Sequence, residues 1–388
     1  MVEWKKLGEV VDLYRGRSLS KDDLGEGECL VILYGELYTR YGDYIKEVVS
    51  KTSHEKAQTA TKLFYNDIIL PVSSTTKESQ IGKASIVKVD NVSLGGDAII
   101  LRNSPYAEYL MYYINSSLFE KEKMRCVSGT TIMHLSPKKL IETKIPLPSL
   151  SEQERIVGIL DTFTSSIENL KAQISLRRKQ YEHYRDKLLD LEGKPGVEMK
   201  TLGEVCTIGD GLHGTPDYDD NGEYFFINGN NLFEGHIVIK VDTKKVGAEI
   251  FIKYGIELDD TSILMSINGT IGNIAIYNNE KILLGKSAAF FKVNKTTVLE
   301  YKYLYYFLQT TTANEYYESK LTGSTIKNLG LRALREFLIP LPSLEEQSRI
   351  VSILDEFEAS IKNLEAQLEA REKQYEYYRE KLLTFERE

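Results

Sequence analysis

The chain repeats itself. "IPLPSLSEQERIVGILD", from Ile145 to Asp161, returns as "IPLPSLEEQSRIVSILD" from Ile339 to Asp355. Across Ile145–Leu189 and Ile339–Leu383, 31 of 45 positions are identical at an offset of 194 residues. The match reaches upstream: "SGTTIMHLS" from Ser128 pairs with "TGSTIKNLG" from Thr322, and "YLMYYI" from Tyr109 with "YLYYFL" from Tyr303. Even the starts correspond, "VEWKKLGEV" at Val2 and "VEMKTLGEV" at Val197. Between these frames, roughly residues 11–100 and 206–290, little similarity is visible. A duplicated frame with unlike inserts suits a chain of 388 residues, too long for one ordinary core.

The repeated segment predicts a long helix. Residues before proline avoid the α region, so Ile-Pro-Leu-Pro makes an extended approach. Ser149 with Glu152, and Ser343 with Glu346, have the S-x-x-E spacing of a capping box. Alternating steps of four and three follow, through Ile156, Leu160, Phe163, Ile167, Leu170, Ile174, Arg177, Tyr181, Tyr184, Leu188 and Leu191. The second copy runs Ile350, Leu354, Phe357, Ile361, Leu364, Leu368, Arg371, Tyr375, Tyr378, Leu382 and Phe385. That is a coiled-coil seam, interrupted in both copies by an arginine at the same step. The arginine stem packs while its head reaches solvent, or it acts as a register device or a contact to a partner subunit.

Each helix spans about 60 Å at 1.5 Å per residue. Only "LEGKPGVEMK", Leu191–Lys200, joins the first helix to the second globular unit. An antiparallel pair is therefore expected, giving an approximate two-fold axis with a globular unit at each end. The fold class expected is mixed α and β, with two globular domains separated by two long helices. The corresponding division is 1–144 and 193–338 for the domains, 145–192 and 339–388 for the helices. Within the domains "DIILPV" (Asp67–Val72), "ASIVKV" (Ala84–Val89) and "AAFFKV" (Ala288–Val293) read as strands. "PYAEYLMYYINS" and "LEYKYLYYFLQT" read as helices beginning near Pro105 and Leu299. The order of strands stays open.

Composition narrows the function by exclusion. Three dispersed cysteines give no disulfide framework or zinc knuckle, and five histidines form no HExxH, so no metal is expected. The uncharged stretch Thr261–Asn279 contains Asn268, Asn273 and glycines, which disfavours a membrane span. The start "MVEWKKLGEV" is charged from its third residue and reads as no secretory signal, so a cytoplasmic location is expected. No phosphate-binding GxxxxGK[ST], dinucleotide GxGxxG or nucleophile GxSxG occurs, nor an Asn/Asp-Pro-Pro-aromatic stretch. The pairs Asp22-Asp23, Asp219-Asp220 and Asp259-Asp260 read as solvated loop acids. Catalysis by this chain is not expected.

A net charge of −8 argues against a self-sufficient nucleic-acid binder. The charge is uneven: residues 1–144 carry 20 basic and 19 acidic side chains, residues 339–388 only 7 and 12. A two-headed protein with a rigid spacer nevertheless suits a bipartite target along a duplex, its half-site separation set by the spacer.

In its duplicated Pro-Leu-Pro-Ser-Leu-x-Glu-Gln-x-Arg-Ile-Val-x-Ile-Leu-Asp segments at 146–161 and 340–355, the chain resembles the specificity subunit of type I restriction-modification enzymes. The "LGEV" starts at Leu7 and Leu202 and the "SGTTI" and "TGSTI" stretches add to the resemblance, which covers the whole architecture. It implies two target recognition domains, each reading one half of an asymmetric, interrupted site in double-stranded DNA. It also implies antiparallel conserved helices that set the spacing and dock two methyltransferase subunits. Those partners would bind S-adenosylmethionine and methylate adenine, with no cofactor in this chain, while restriction/translocase subunits translocate and cut. A related complex with methylation and cleavage fused in one polypeptide is a close variant. A coiled-coil scaffold for proteins is the competing class, and a self-sufficient methyltransferase is disfavoured by the missing motifs.

Base edges are read by amides, hydroxyls, Arg and Lys, and phosphates by Lys, Arg and backbone N–H groups. In the first domain the polar loop Ser73–Lys83 offers Ser74, Thr75, Thr76, Lys77, Gln80 and Lys83, with Arg15 and Arg17 as further candidates. In the second, "GLHGTP", "NGNN" and "SINGT" offer His213, Thr215, Asn228, Asn230, Asn231, Asn268 and Thr270. Thr130 and Thr131, and their counterparts Ser324 and Thr325 with Lys327, would grip the backbone in both halves. Ordinary turns and Asx caps use the same residues. Tyr34, Tyr38, Tyr41 and Tyr44 are spaced for packing in or beside a sheet more than for stacking on a base.

Overall fold

A computed structural model describes residues 2–74 and 81–386. The chain divides into two compact units, Met1–Lys171 with Gln367–Glu388, and Ala172–Ala366. Each unit thus holds half of each long helix, Leu150–Leu189 and Leu344–Leu383.

In the first unit the matched start and the proline segment are neighbours: strand Glu3–Lys6 pairs antiparallel with Lys144–Leu147. The second unit repeats this with Glu198–Thr201 and Leu338–Leu341. The frame therefore closes on itself before the helix begins. The helix starts use only half of the expected capping box. Glu152 and Glu346 donate their backbone N–H to Ser149 and Ser343 Oγ, at 3.4 and 3.3 Å. Their carboxylates turn instead to Arg155 and Arg349 in the next turn, at 2.6 and 2.7 Å. The repeated glutamines stitch the turn: buried Gln153 donates to the Pro148 carbonyl and Gln347 to the Pro342 carbonyl, both at 2.9 Å.

Within each unit the helix halves run antiparallel. In the first, Phe163 stacks on Tyr378 at 5.4 Å between centroids and Lys171 pairs with Glu372 at 2.8 Å. In the second, Arg178 pairs with Glu365 at 2.6 Å and Tyr184 stacks on Phe357 at 5.6 Å. As one number rises the other falls. The seam arginines answer each other too, Arg371 over the Phe163 ring at 5.6 Å and Arg177 over Phe357 at 5.8 Å. Each guanidinium lies on a seam phenylalanine, a cation–π contact that the apolar pattern alone did not specify.

The globular parts share the strand order of their central sheets despite their unlike sequences, the first unit adding edge strands that the second does not have among the described residues. The larger sheet of the first unit runs Asp12–Arg15, Ala98–Arg102, Ile68–Pro71, Ser85–Val87, Tyr44–Ile45. That of the second runs Cys206–Asp210, Ala288–Val293, Ser262–Ser266, Ile274–Ile276. Beside each lies a smaller sheet built on a parallel pair, Cys29–Ile32 with Val92–Leu94 and Tyr224–Ile227 with Ile282–Leu284. The uncharged stretch from Thr261 thus forms two strands around a loop, and no helix among the described residues is long and apolar enough to cross a membrane.

Helices Ala107–Ile114 and Tyr301–Phe307 bolt the sheets to the long helices. Tyr109 and Tyr303, both buried, donate to the Pro146 and Pro340 carbonyls at 2.9 and 2.8 Å. Tyr112 and Tyr306 donate to Asp161 and Asp355, each at 2.6 Å. Burial and the facing carboxylate hold both phenols well above their usual range, so they remain donors at any working pH. Asp161 also accepts from Tyr44 at 2.6 Å. Asp161→Ala would leave the hydroxyl of fully buried Tyr112 with the Thr164 hydroxyl at 3.3 Å and the Tyr44 hydroxyl, which loses the same acceptor. A loss of about 2 kcal/mol is expected in denaturant unfolding, against about 1 kcal/mol for Tyr112→Phe, which removes donor and need together. Equal losses would contradict this assignment.

Candidate nucleic-acid interface

Strand register gathers the predicted loops at one end of each larger sheet. In the first unit Arg15, Ile99 and Leu70 lie in one row across three strands. Arg15 and the exposed Arg17 therefore leave the sheet on the side where Val72 follows the strand Ile68–Pro71. Ser73 and Ser74 pair with His134 and Met133 of the hairpin Val127–Leu135. At the tip of that hairpin, after Gly129 at φ +112°, stand Thr130 and Thr131, both exposed. A side chain at Gly129 would run into the Ile132 carbonyl, 2.0 Å from its Cβ, which explains the glycine.

Not every predicted residue is open. Ser74 is buried at 4% exposure, and Lys83 reaches back to the Tyr41 carbonyl at 3.3 Å. Thr75, Thr76, Lys77 and Gln80 lie outside the described residues. The tyrosines pack as expected: Tyr38 donates to the Ser73 carbonyl at 3.1 Å, and Tyr41 and Tyr34 belong to a core cluster with Leu37 and Ile45. Burial raises the Tyr38 phenol above its usual range, keeping it a donor to the Ser73 carbonyl.

The second unit reproduces the arrangement. Asp210, Ala289 and Met265 share the equivalent row, so His213 and Thr215 emerge beside the loop that carries Asn268 and Thr270. His213, Thr215 and Thr270 are exposed, and His213 Nε2 lies 2.8 Å from Asp210. Asn268 bridges to Asn328, Gly269 donates to the Lys327 carbonyl at 2.9 Å, and Asn268 Nδ2 donates to the Lys286 carbonyl at 3.1 Å. Lys327, Ser324 and Thr325 occupy the exposed turn before Asn328. Of the "NGNN" residues only Asn230 is fully exposed. Asn228 accepts from Ser287 Oγ at 2.9 Å. Asn231, 5% exposed, is spent on its own loop, donating to the Val238 carbonyl and Thr243 Oγ1.

The centre of this cluster went unnoticed in the sequence. Gly285, Lys286 and Ser287 tie three loops together: Leu212 bridges Gly285, Lys286 donates its N–H to the Leu212 carbonyl, and Ser287 Oγ both donates to Asn228 and accepts from Gly229. Lys286 is exposed among them, a cation beside amide and hydroxyl groups. A signal did exist. "LGKSA" (Leu284–Ala288) answers "LGGDA" (Leu94–Ala98), and the pair sits at matching strand ends. Gly211 and Gly16 are required at both places, since their Cβ atoms would meet the Leu284 and Gly95 carbonyls at 2.0 and 1.8 Å. Among the described residues no group of three or more His, Cys, Asp or Glu side chains is placed to hold a metal ion.

Two copies of one α/β unit, each presenting polar loops at one sheet end and completed by halves of paired helices, define a tandem recognition protein. The model of the type I restriction modification DNA specificity domain matches residues 1–177 and again residues 195–371, and the chain belongs to this family. It is 32% identical over 310 residues to the EcoR124I/EcoR124II type I restriction enzyme specificity subunit of Escherichia coli, covering 73% of this chain and 72% of that one. In fold it is similar to the S subunit of the type I restriction-modification system of M. genitalium, at a TM-score of 0.56 and 18% identity, over 100% of this chain and 97% of that one. A chain from a structure of type I R-M complex assembly and conformational transition gives a TM-score of 0.62 at 20% identity, over 98% and 97%.

Proposed function

We propose that this chain is the non-catalytic DNA-recognition subunit of a type I restriction-modification complex, each unit reading one half of an asymmetric bipartite site in double-stranded DNA. The observation that carries the reading is the paired architecture. Two sets of polar loop residues of different chemistry sit at equivalent strand ends of the two units, on a frame whose helix segments repeat at 31 of 45 positions. The paired helices would set the distance between half-sites and dock two methyltransferase subunits, which would hold S-adenosylmethionine and transfer its methyl group to adenine. Restriction/translocase subunits would complete the complex in the cytoplasm.

Arg15, Arg17, Thr130 and Thr131 in the first unit, and His213, Thr215, Asn230, Asn268, Thr270, Ser324, Thr325 and Lys327 in the second, are the exposed or half-exposed members of the proposed DNA surface. Lys286 joins them. Side-chain amides and hydroxyls there suit base edges, and the cations suit phosphate. The net charge of −8 agrees with a division of labour in which the methyltransferases supply much of the clamp. Co-expression with the cognate methyltransferase, followed by mapping of methylated adenines across a genome, tests the reading. A two-part motif with a fixed gap is expected. Methylation without sequence preference, or at a single continuous motif, would overturn it.

A further inference from the structure

Beside the loop cluster of the second unit lies a helix, Thr311–Lys320, that no sequence motif singles out. We infer that Asn314 and Glu318 on this helix are specificity-determining residues, facing amino-bearing base edges in the half-site of the second unit. The inference deepens the DNA-recognition reading above and rests on it.

The two residues are four apart and so share one helix face, and both are exposed. Tyr317 between them points inward, fully buried, and donates to the Leu308 carbonyl at 2.9 Å, which fixes the rotation of the helix. A cleft of about 250 Å³ is walled on one side by Asn314, Tyr317 and Glu318. Gly269, Ile271 and Lys327, from the loop and hairpin already assigned to DNA, wall the other. Helix and loop are close enough that a Cβ at Gly272 would lie 3.4 Å from Asn314 Oδ1. Among the described residues the Glu318 carboxylate makes no hydrogen bond or ion pair.

Comparison with the first unit separates scaffold from readout. The preceding caps match, Ser116 Oγ accepting from Phe119 N–H and Thr310 Oγ1 from Ala313 N–H. The strands that follow, Val127–Ser128 and Leu321–Thr322, also keep the offset of 194. Yet the positions equivalent to Asn314 and Glu318 hold Glu120, paired with buried Lys123 at 2.7 Å, and exposed Met124. Residues serving the frame were retained between units, as Tyr112 with Tyr306 and Asp161 with Asp355 show. The buried positions of this helix differ as well, Phe119 against Ala313 and Lys123 against Tyr317, so between its kept cap and kept strand the helix has diverged together with the loops it faces, as an element of the readout would. The chemistry points the same way. A carboxylate repels phosphate and accepts from the cytosine N4 amino group, and an amide suits adenine N6/N7. Lys327 across the cleft is suited to the backbone.

The test uses the full chain in complex with its methyltransferase. Methylated adenines are mapped for wild type, Asn314→Ala, Glu318→Gln and the double variant, with complex assembly and thermal unfolding checked in parallel. One half of the motif should become degenerate at one or two base pairs, with about a tenfold or greater loss of discrimination there. The other half serves as internal control and stays intact. Unchanged halves in the double variant, or a uniform weakening across both, would overturn the inference while leaving a two-part motif to support the broader reading. A wild-type complex lacking any two-part motif would instead defeat that reading, and this inference with it.

Discussion

Exchanging residues 12–102 for the corresponding insert of another family member is expected to rewrite one half of the methylated motif and leave the other half and the gap unchanged. The junctions are chosen by the sheet. Asp12–Arg15 and Ala98–Arg102 pair with each other, and Ile68–Pro71 pairs with Ala98–Arg102, so the sheet travels as one piece. Asn103 donates to Asp12 at 2.6 Å at the point where the two strands meet the frame. The frame left behind keeps its own contacts, Glu3–Lys6 on Lys144–Leu147, Tyr109 on the Pro146 carbonyl and Tyr112 on Asp161 of the long helix. Because specificity is then a property of one bounded segment, the change in sequence preference should be complete at that half-site, not a modest drift. Methylome mapping of the chimaera decides it. A change in both halves would mean that recognition is shared across units.

A fragment ending at Lys194 is expected to be a dimer in solution. The first unit is finished by residues from the end of the chain: Leu383, 1% exposed, joins the core cluster that contains Ile156 and Leu160. In the second unit Leu189 does the same against Ile350 and Leu354. Nearly every residue used in this exchange has its like at the offset of 194. Tyr375 and Tyr378 correspond to Tyr181 and Tyr184, Arg371 to Arg177, and Glu380, which receives the Ser117 hydroxyl at 2.6 Å, to Asp186, which receives that of Thr311 at 2.6 Å. A lone first repeat therefore exposes a seam and carries the segment that fits it, so two copies can satisfy each other. Sedimentation at micromolar concentration should give about twice the fragment mass. Phe163→Ala removes a stacked ring twice per dimer and should weaken association more than tenfold. A well-folded monomer would refute the exchange.

The long-range design was legible in the sequence, because duplication and a heptad seam are one-dimensional signals. Phe163 and Phe357 could be placed in the seam by counting. Their stacking with Tyr378 and Tyr184 follows once the pair is antiparallel. The shared topology of the inserts was hidden, since strands of three to six residues need only fit a half-buried pleated surface, and many sequences do. The loop candidates were chosen by polarity, which cannot separate a residue facing solvent from one serving its own turn. Asn231 and Ser74 belong to the second kind, by burial. Lys286 was passed over for the converse reason: it follows an apolar strand, and only the meeting of three loops gives it company.

The division of the helices also sets a timetable. Synthesis runs from the amino end, so most of the first unit emerges early, yet Gln367–Glu388, which it needs, are made only after the whole of the second unit. The second unit has both of its helix halves as soon as Ala366 appears. At about 5–20 residues per second, the bare stripe at Ile156, Leu160 and Phe163 waits about 10–40 s for its cover. Of the two heads, the one made first is thus completed second, and a nonsense codon just before Gln367 would spare the second unit and injure the first.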